Sequence, residues 1–271
     1  MVELGDLREG IMPDELENTV RETLRLPNIL LKGIGTNLAC RCGVSPDTRN
    51  MAELSALAEA IETRFGIVLS IISGGNSGNL PWALSDADTG RINDLRLGEA
   101  ILLGRETLQR QAIDGLYTDA ISLTAEVIES KDKPAQPWGE IAQNAFGEQT
   151  RITKQGTIAQ AILAIGRQDI DPAGLVAPDG IEILGASSDH LILDSGQGHL
   201  PVGTEGSFQL NYSALTRAMS SPFVSQRVKH ENHNMPENTE AMWVIQIEPF
   251  IQGGRFVSSA YIFGPRYFDI G

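Results

Sequence analysis

The sequence predicts two kinds of structure in series: α/β structure over residues 1–112 and an all-β domain over residues 113–228. Three patterns predict this. Short apolar runs alternate with segments of helical period, the signature of parallel α/β structure. Glycine-rich loops follow directly on apolar runs, as at the ends of buried parallel strands. From Asp119 to Glu129 the apolar residues fall on every second position, which marks a half-buried antiparallel strand.

The elements follow in order. Met1–Leu4 reads as a short strand, with Gly5–Gly10 as its loop. Pro13 and Asp14 open a helix, since proline fits the first turn and acids suit the positive end. Its buried stripe is Leu16, Val20 and Leu24. Leu30–Gly35 is the next strand and ends in Thr36-Asn37. A helix over Asn50–Phe65 shares a face of Met51, Leu54, Ala58, Ile61 and Phe65, and Gly66 stops it. Ile67–Ile72 is the third strand, Pro81–Arg91 a polar connection, and Leu95–Leu103 the fourth strand. In the second region Ala159–Ile165, Ile181–Leu184, His190–Leu193 and Ser207–Tyr212 join Asp119–Glu129 as strand candidates. Residues 229–271 read as a polar linker and a tail without assigned structure.

The α/β region is organised around the stretch from Ile71 to Gly104. Ser73-Gly74-Gly75-Asn76-Ser77-Gly78 follows one apolar run, and the second begins at Asn93 and contains Gly98. Glycines let backbone approach a ligand, and successive free N–H groups form an anion nest. In (β/α)8 barrels the loops after the last two strands are the usual phosphate site. The residues alone fit equally well two glycine-rich turns of an ordinary α/β domain. A closed barrel needs more strands than this region supplies.

The totals exclude several classes. A net charge of −14 argues against nucleic acid or an anionic membrane surface as partner. No apolar run reaches the length of a membrane span, and the acidic opening lacks a signal-peptide core. The two cysteines, Cys40 and Cys42, suit a reducing, cytoplasmic setting. With few and scattered histidines, a metal site is not expected.

Six motifs carry a family resemblance. They are Leu4-Gly-Asp-Leu-Arg-Glu-Gly10, Gly33-Ile-Gly-Thr-Asn-Leu38, Ser73-Gly-Gly-Asn-Ser77, Leu95-Arg-Leu-Gly-Glu-Ala100, Ala164-Ile-Gly-Arg-Gln-Asp169 and Gly185-Ala-Ser-Ser-Asp-His190. Their order resembles that of alanine racemase-like enzymes of fold type III, most of all the ornithine racemase branch. The resemblance covers residues 1–228. It implies the C-terminal half of a (β/α)8 TIM barrel followed by a β-domain, with pyridoxal 5'-phosphate as cofactor. It also implies a small amino acid as substrate and a homodimer as the working form.

The resemblance further implies roles for matching residues. Asn76, Ser77, Gly98 and the backbone of Glu99 correspond to the cofactor's phosphate site. Arg96 corresponds to an arginine facing the pyridine nitrogen, and Arg8 to one near the cofactor and substrate carboxylate. Asn37 stands where alanine racemases carry a histidine. Ser187, Ser188 and Asp189 correspond to a substrate loop given by the partner subunit. By residue type alone, Arg8 and Arg96 suit surface ion pairs, Asn37 and Asn76 suit turns, and Asp189 suits a cap.

Two departures stand beside these matches. The family's Schiff-base lysine has no counterpart among Lys32, Lys131, Lys133, Lys154 and Lys229, so the chain reads as starting at the fifth barrel strand and as inactive alone. The family's tyrosine base aligns with Phe146, which carries no proton. Glu140, Glu148 and Asp169 are then the candidate acid–base groups, with Asp169 taken together with Arg8 as catalytic. A non-catalytic fragment or one half of a split enzyme, binding phosphate weakly, is the alternative reading.

Overall fold

The computed structural model describes residues 1–149, 154–196 and 198–227; the linker and tail expected over 229–271 lie outside the described residues. The chain divides into two compact units after Thr118.

The first unit is built on short parallel segments. β1 (Gly33–Gly35) and β2 (Ile71–Ser73) pair in parallel, with Gly35 opposite Ser73. On one side, Val2 N–H donates to the Gly35 carbonyl at 2.8 Å and the Val2 carbonyl accepts Thr36 Oγ1 at 2.9 Å. On the other, Ser73 bridges Asp94 in parallel, and Gly74 N–H donates to the Asp94 carbonyl at 2.9 Å. β1, β2 and the Asp94 segment run the same way. The loops Thr36-Asn37, Gly74–Ser77 and Leu95–Gly98 therefore leave at one end.

The helices α1 (Leu16–Leu24) and α2 (Thr48–Phe65) are the crossovers that parallel pairing demands. α2 starts at Thr48, two residues before the expected Asn50, because Asp47 caps it: Asp47 accepts from Asn50 N–H at 2.7 Å and Asn50 Oδ1 accepts from Asp47 N–H at 2.8 Å. Gly66 closes the helix in the left-handed region, at φ 63°. Val2, Leu16, Val20, Ile34, Met51, Leu54, Ala58, Ile61 and Ile72 form one buried cluster between helices and strands.

The second unit is a six-stranded antiparallel sheet in the order β5-β8-β3-β4-β7-β6. The strands are β3 (Ser122–Pro134), β4 (Thr157–Leu163), β5 (Leu175–Val176), β6 (Glu182–Ala186), β7 (Leu191–Asp194) and β8 (Glu205–Leu210). Leu123, Ala125 and Val127 alternate inward from β3 and meet Leu163, Leu191, Leu193 and Phe208.

The structure corrects three expectations. Glu99–Leu103 is a helix, α4, and no part of a strand. The apolar run Ala100–Leu103 is short enough to fit either state, and burial of Ala100 and Leu103 three apart shows the helical face. The connection after Gly78 contains a short helix, α3 (Leu80–Leu84). The second unit is not all β: Tyr212–Ser220 is helix α5, started by Asn211, whose side chain accepts from Ala214 N–H at 2.9 Å. Ala214, Leu215 and Ala218 are its buried stripe.

Candidate active site

Arg96 is the centre of the first unit's loop end. Its side chain reaches back across β2 to β1. One guanidinium nitrogen donates to Ser73 Oγ at 2.6 Å, the other to the Thr36 carbonyl at 2.9 Å and to Asn37 Oδ1 at 3.1 Å. Its own N–H donates to the Gly75 carbonyl at 2.8 Å. Burial pulls its pKa below the ordinary arginine value; Asp94, Glu9 and Cys40 oppose that, and Arg8 adds to it by like charge. Arg8 is thus close enough for its charge to be felt at Arg96.

Asn37 links the arginine to the glycine loop. Its Oδ1 also accepts from Asn76 Nδ2 at 3.0 Å, and its own amide donates to Cys40 Sγ at 3.3 Å. Asn76 further donates to the Leu38 carbonyl at 2.6 Å and accepts from Gly78 N–H at 2.8 Å. Ser77 Oγ accepts from Gly98 N–H at 3.3 Å and Ala100 N–H at 3.0 Å, which ties the glycine loop to the start of α4. The Glu99 carboxylate pairs with Arg110, and burial raises its pKa.

The loop carrying Arg8 is pinned by two acids. Glu3 accepts from the N–H groups of Leu7 at 3.0 Å and Arg8 at 3.3 Å. Asp6, fully buried, accepts from Arg41 N–H at 2.8 Å and Cys42 N–H at 3.0 Å. The Arg8 side chain is half exposed and pairs with Glu9 at 2.5 Å.

In the second unit Ser187, Ser188 and Asp189 form the turn between β6 and β7. That turn is bonded to the Gly166–Asp169 motif: Arg167 N–H donates to the Ser187 carbonyl at 2.8 Å and Gln168 N–H to the Ser188 carbonyl at 3.1 Å. Asp189 accepts from Gln168 and, at 2.6 Å, from Ser188 Oγ. The Arg167 guanidinium lies 4.4 Å over the Phe146 ring and grips Glu148 with two bonds of 3.0 Å. Bonds from Asn144 and then Arg167 hold the Glu148 pKa below its ordinary value. The buried carboxylate of Asp169 accepts from Ser221 Oγ at 2.6 Å. Glu140 is exposed.

The sequence pattern of the alanine racemase N-terminal domain matches residues 1–106. The ornithine racemase of Acetoanaerobium sticklandii is 40% identical over 232 residues, which are 84% of this chain and 66% of that protein. The lysine racemase of Thermotoga maritima is 40% identical over 229 residues, 83% of this chain and 64% of that protein. The chain belongs to the alanine racemase-like family. It spans about two thirds of the length of these relatives, as those shares show. Its fold is similar to that of the alanine racemase from E. faecalis, with a TM-score of 0.51 at 20% identity, over 81% of this chain and 58% of that one.

A family site for a phosphorylated pyridoxal needs converging N–H and O–H donors and a partner for the ring nitrogen. The residues present fit both demands. The Ser77 hydroxyl proton and the N–H groups of Ser77 and Glu99 have no acceptor among the described residues. A Cβ built on Gly98 meets no atom within 4 Å, so space lies open over that backbone. The carboxylate of Glu99 is engaged elsewhere by Arg110. Arg96 presents a guanidinium held in place from three directions.

Sequence reasoning missed Ser73, Thr36 and Cys40 as supports of this family site. Ser73 and Thr36 end strands, and their roles depend on which face each presents, which register decides. No signal pointed to Thr107, whose hydroxyl is buried without a partner among the described residues.

Proposed function

We propose that this chain carries the cofactor site of a pyridoxal-phosphate-dependent racemase acting on basic amino acids such as ornithine or lysine. The observation that supports it best is the Arg96 clamp, placed beside the Ser77–Gly98 donors at one end of the parallel segments. The first unit would be the C-terminal half of a (β/α)8 barrel and the second the family's β-domain.

Asn76, Ser77, Gly98 and the backbone of Glu99 would hold the phosphate, and Arg96 the ring nitrogen. When bound, pyridoxal phosphate withdraws electrons from the amino acid's α-carbon and so acidifies its α-proton. A guanidinium does not give up its proton, so Arg96 would keep the ring nitrogen opposite it unprotonated. That restrains the electron withdrawal and favours plain return of the proton over side reactions. Arg8 would bind the substrate carboxylate, with Glu9 as its resting partner. In a homodimer, Ser187, Ser188 and Asp189 would serve the substrate end of the site. The carboxylates of Asp189 and Glu148 on that edge suit a cationic substrate side chain. The free, exposed thiols of Cys40 and Cys42 suit a cytoplasmic setting.

The amine that anchors the cofactor must come from outside the first unit. Lys32 precedes β1, at the end opposite Asn37 and Arg96. Lys131, Lys133 and Lys154 are paired with Glu129, Glu182 and Asp194. We therefore read the chain alone as inactive. The test supplies it with the part of the ornithine racemase relative that it does not span, adds pyridoxal phosphate, and follows L- and D-ornithine by chiral chromatography. The expected result is interconversion of ornithine in the mixture and none with the chain alone. Turnover by the chain alone would overturn the assignment of the amine. A mixture that binds the cofactor but leaves ornithine unchanged would overturn the racemase reading.

A further inference from the structure

We infer that Cys40 is a positioning residue: its sulfur sets the amides of Asn37 and Asn76, and through Asn37 it aims the Arg96 guanidinium. This role rests on the cofactor site proposed above and concerns what holds that site's ligands in place. Two donors converge on the sulfur. Asn37 Nδ2 and Asn76 Nδ2 each donate to Cys40 Sγ at 3.3 Å. Sulfur is a weak acceptor, but its large radius lets one atom serve two amides that come from different loops.

The sulfur decides which way the Asn37 amide faces. A carboxamide carries an acceptor on one side and donors on the other. With Nδ2 on Cys40, Oδ1 meets the donors of Arg96 at 3.1 Å and of Asn76 at 3.0 Å. Cys40 Sγ is the one acceptor of the Asn37 Nδ2 among the described residues. Reversed, the amide would set donors against the Arg96 and Asn76 donors, around a buried Asn37. The Asn76 amide is set likewise. Its Nδ2 also donates to the Leu38 carbonyl at 2.6 Å, and its Oδ1 accepts from Gly78 N–H at 2.8 Å, which shapes the glycine turn.

Cys40 is exposed, yet its place is fixed from both sides. Leu38, two residues before it, is fully buried. Directly after it, the N–H groups of Arg41 and Cys42 donate to the buried Asp6 at 2.8 and 3.0 Å. Between these anchors Ala39 takes a left-handed φ of 67°, which a residue with a Cβ adopts at a cost. That turn lays the chain over the glycine loop, since a Cβ built on Gly78 would lie 3.2 Å from the Ala39 Cβ. Backbone strain of this kind persists where the surroundings hold it, here directly before the cysteine. Cys42 is the internal contrast. It is exposed too, and its side chain makes no hydrogen bond among the described residues.

The test compares the parent with Cys40→Ala, Cys40→Ser and Cys42→Ala, each as the full chain. Nitrogen-edited NMR follows the side-chain N–H signals of Asn37, Asn76 and Arg96, and calorimetry follows binding of pyridoxal 5'-phosphate. Cys40→Ala should shift all three sets of signals, those of Arg96 included although it does not bond to Cys40. It should also weaken binding about threefold or more, the scale of one net hydrogen bond. Cys40→Ser restores an acceptor and should recover most of the lost affinity, while Cys42→Ala should match the parent. Melting temperatures should stay within error of the parent throughout. Unchanged Asn37 and Arg96 signals in Cys40→Ala overturn the inference and leave the cofactor site standing, and so does parent-like affinity beside shifted signals. A lower melting temperature that Cys40→Ser does not recover marks a merely structural turn and overturns it as well. A parent chain that does not bind pyridoxal phosphate overturns the cofactor site itself, and this role with it.

Discussion

The loop end of the first unit and the turn edge of the second hold the same kinds of residue in opposite ways. In the first, Arg96, Asn37, Asn76 and Ser77 bond to one another and to the backbone of neighbouring loops, and Asn37, Ser73 and Ser77 are buried. In the second, Arg167 pairs with Glu148, and Asp189 accepts from Gln168 and Ser188, on an exposed edge, over a half-covered Phe146. A buried network bonded to backbone has one geometry before any ligand arrives, whereas exposed ion pairs contribute little and rearrange easily. The proposed cofactor site is therefore organised within the unit, while the proposed substrate edge has its order still to gain from what covers it.

The largest expected effect breaks the contrast on the ordered side. Asp6→Ala takes the buried acceptor away from the N–H groups of Arg41 and Cys42 and frees the Arg8 loop. It should cost about 3 kcal/mol, read from urea unfolding, at roughly one kcal/mol or more for each stranded group. Arg96→Gln comes next. It strands Ser73, the Thr36 carbonyl and Asn37, and should lower pyridoxal-phosphate affinity by about tenfold or more in a calorimetric titration.

Much of this was legible in the sequence, and the part that was not follows a rule. The α2 cap and stop are local: Asp47, Asn50 and Gly66 act within a few residues of where they stand. Residue type and order mark the motif residues Asn76, Ser77, Arg96 and Gly98, and the structure brings their loops to one end of the parallel segments. The strand assigned to Leu95–Leu103 failed because a short apolar run carries no period, and the deciding contact, Ser77 Oγ to Ala100 N–H, joins residues in different loops. α5 was hidden for a related reason: the strand read over Ser207–Tyr212 takes in Asn211, whose side-chain bond from Ala214 N–H starts the helix. Asp169 looked like a candidate acid by neighbourhood in sequence, and only the fold shows its carboxylate turned to Ser221.

Smaller effects sharpen the comparison. Burial alone would raise the Glu106 pKa, yet the N–H groups of Gln109, Gln111 and Leu108 outweigh it and set the pKa below the ordinary value. A depressed carboxylate contributes stability above its unfolded pKa, about 4.3, and loses it as pH falls through the folded value. Glu106→Gln should thus cost about 1–2 kcal/mol at neutral pH and flatten the acid limb of a pH–stability curve. Glu148→Gln marks the exposed side. Its partners are Asn144 and Arg167 at the surface, so the melting temperature should stay within error of the parent. A clear fall would show that the second edge is as organised as the first.

The most direct measurement of the central claim is amide chemical-shift mapping of the full chain as pyridoxal 5'-phosphate is added. The account predicts that the signals of Asn37, Gly75, Ser77, Gly98 and Glu99 move together, with Lys32 and Val68 at the other end of the strands unchanged. Shifts confined to the Lys32 and Val68 end, or no saturable shift at all, would contradict it.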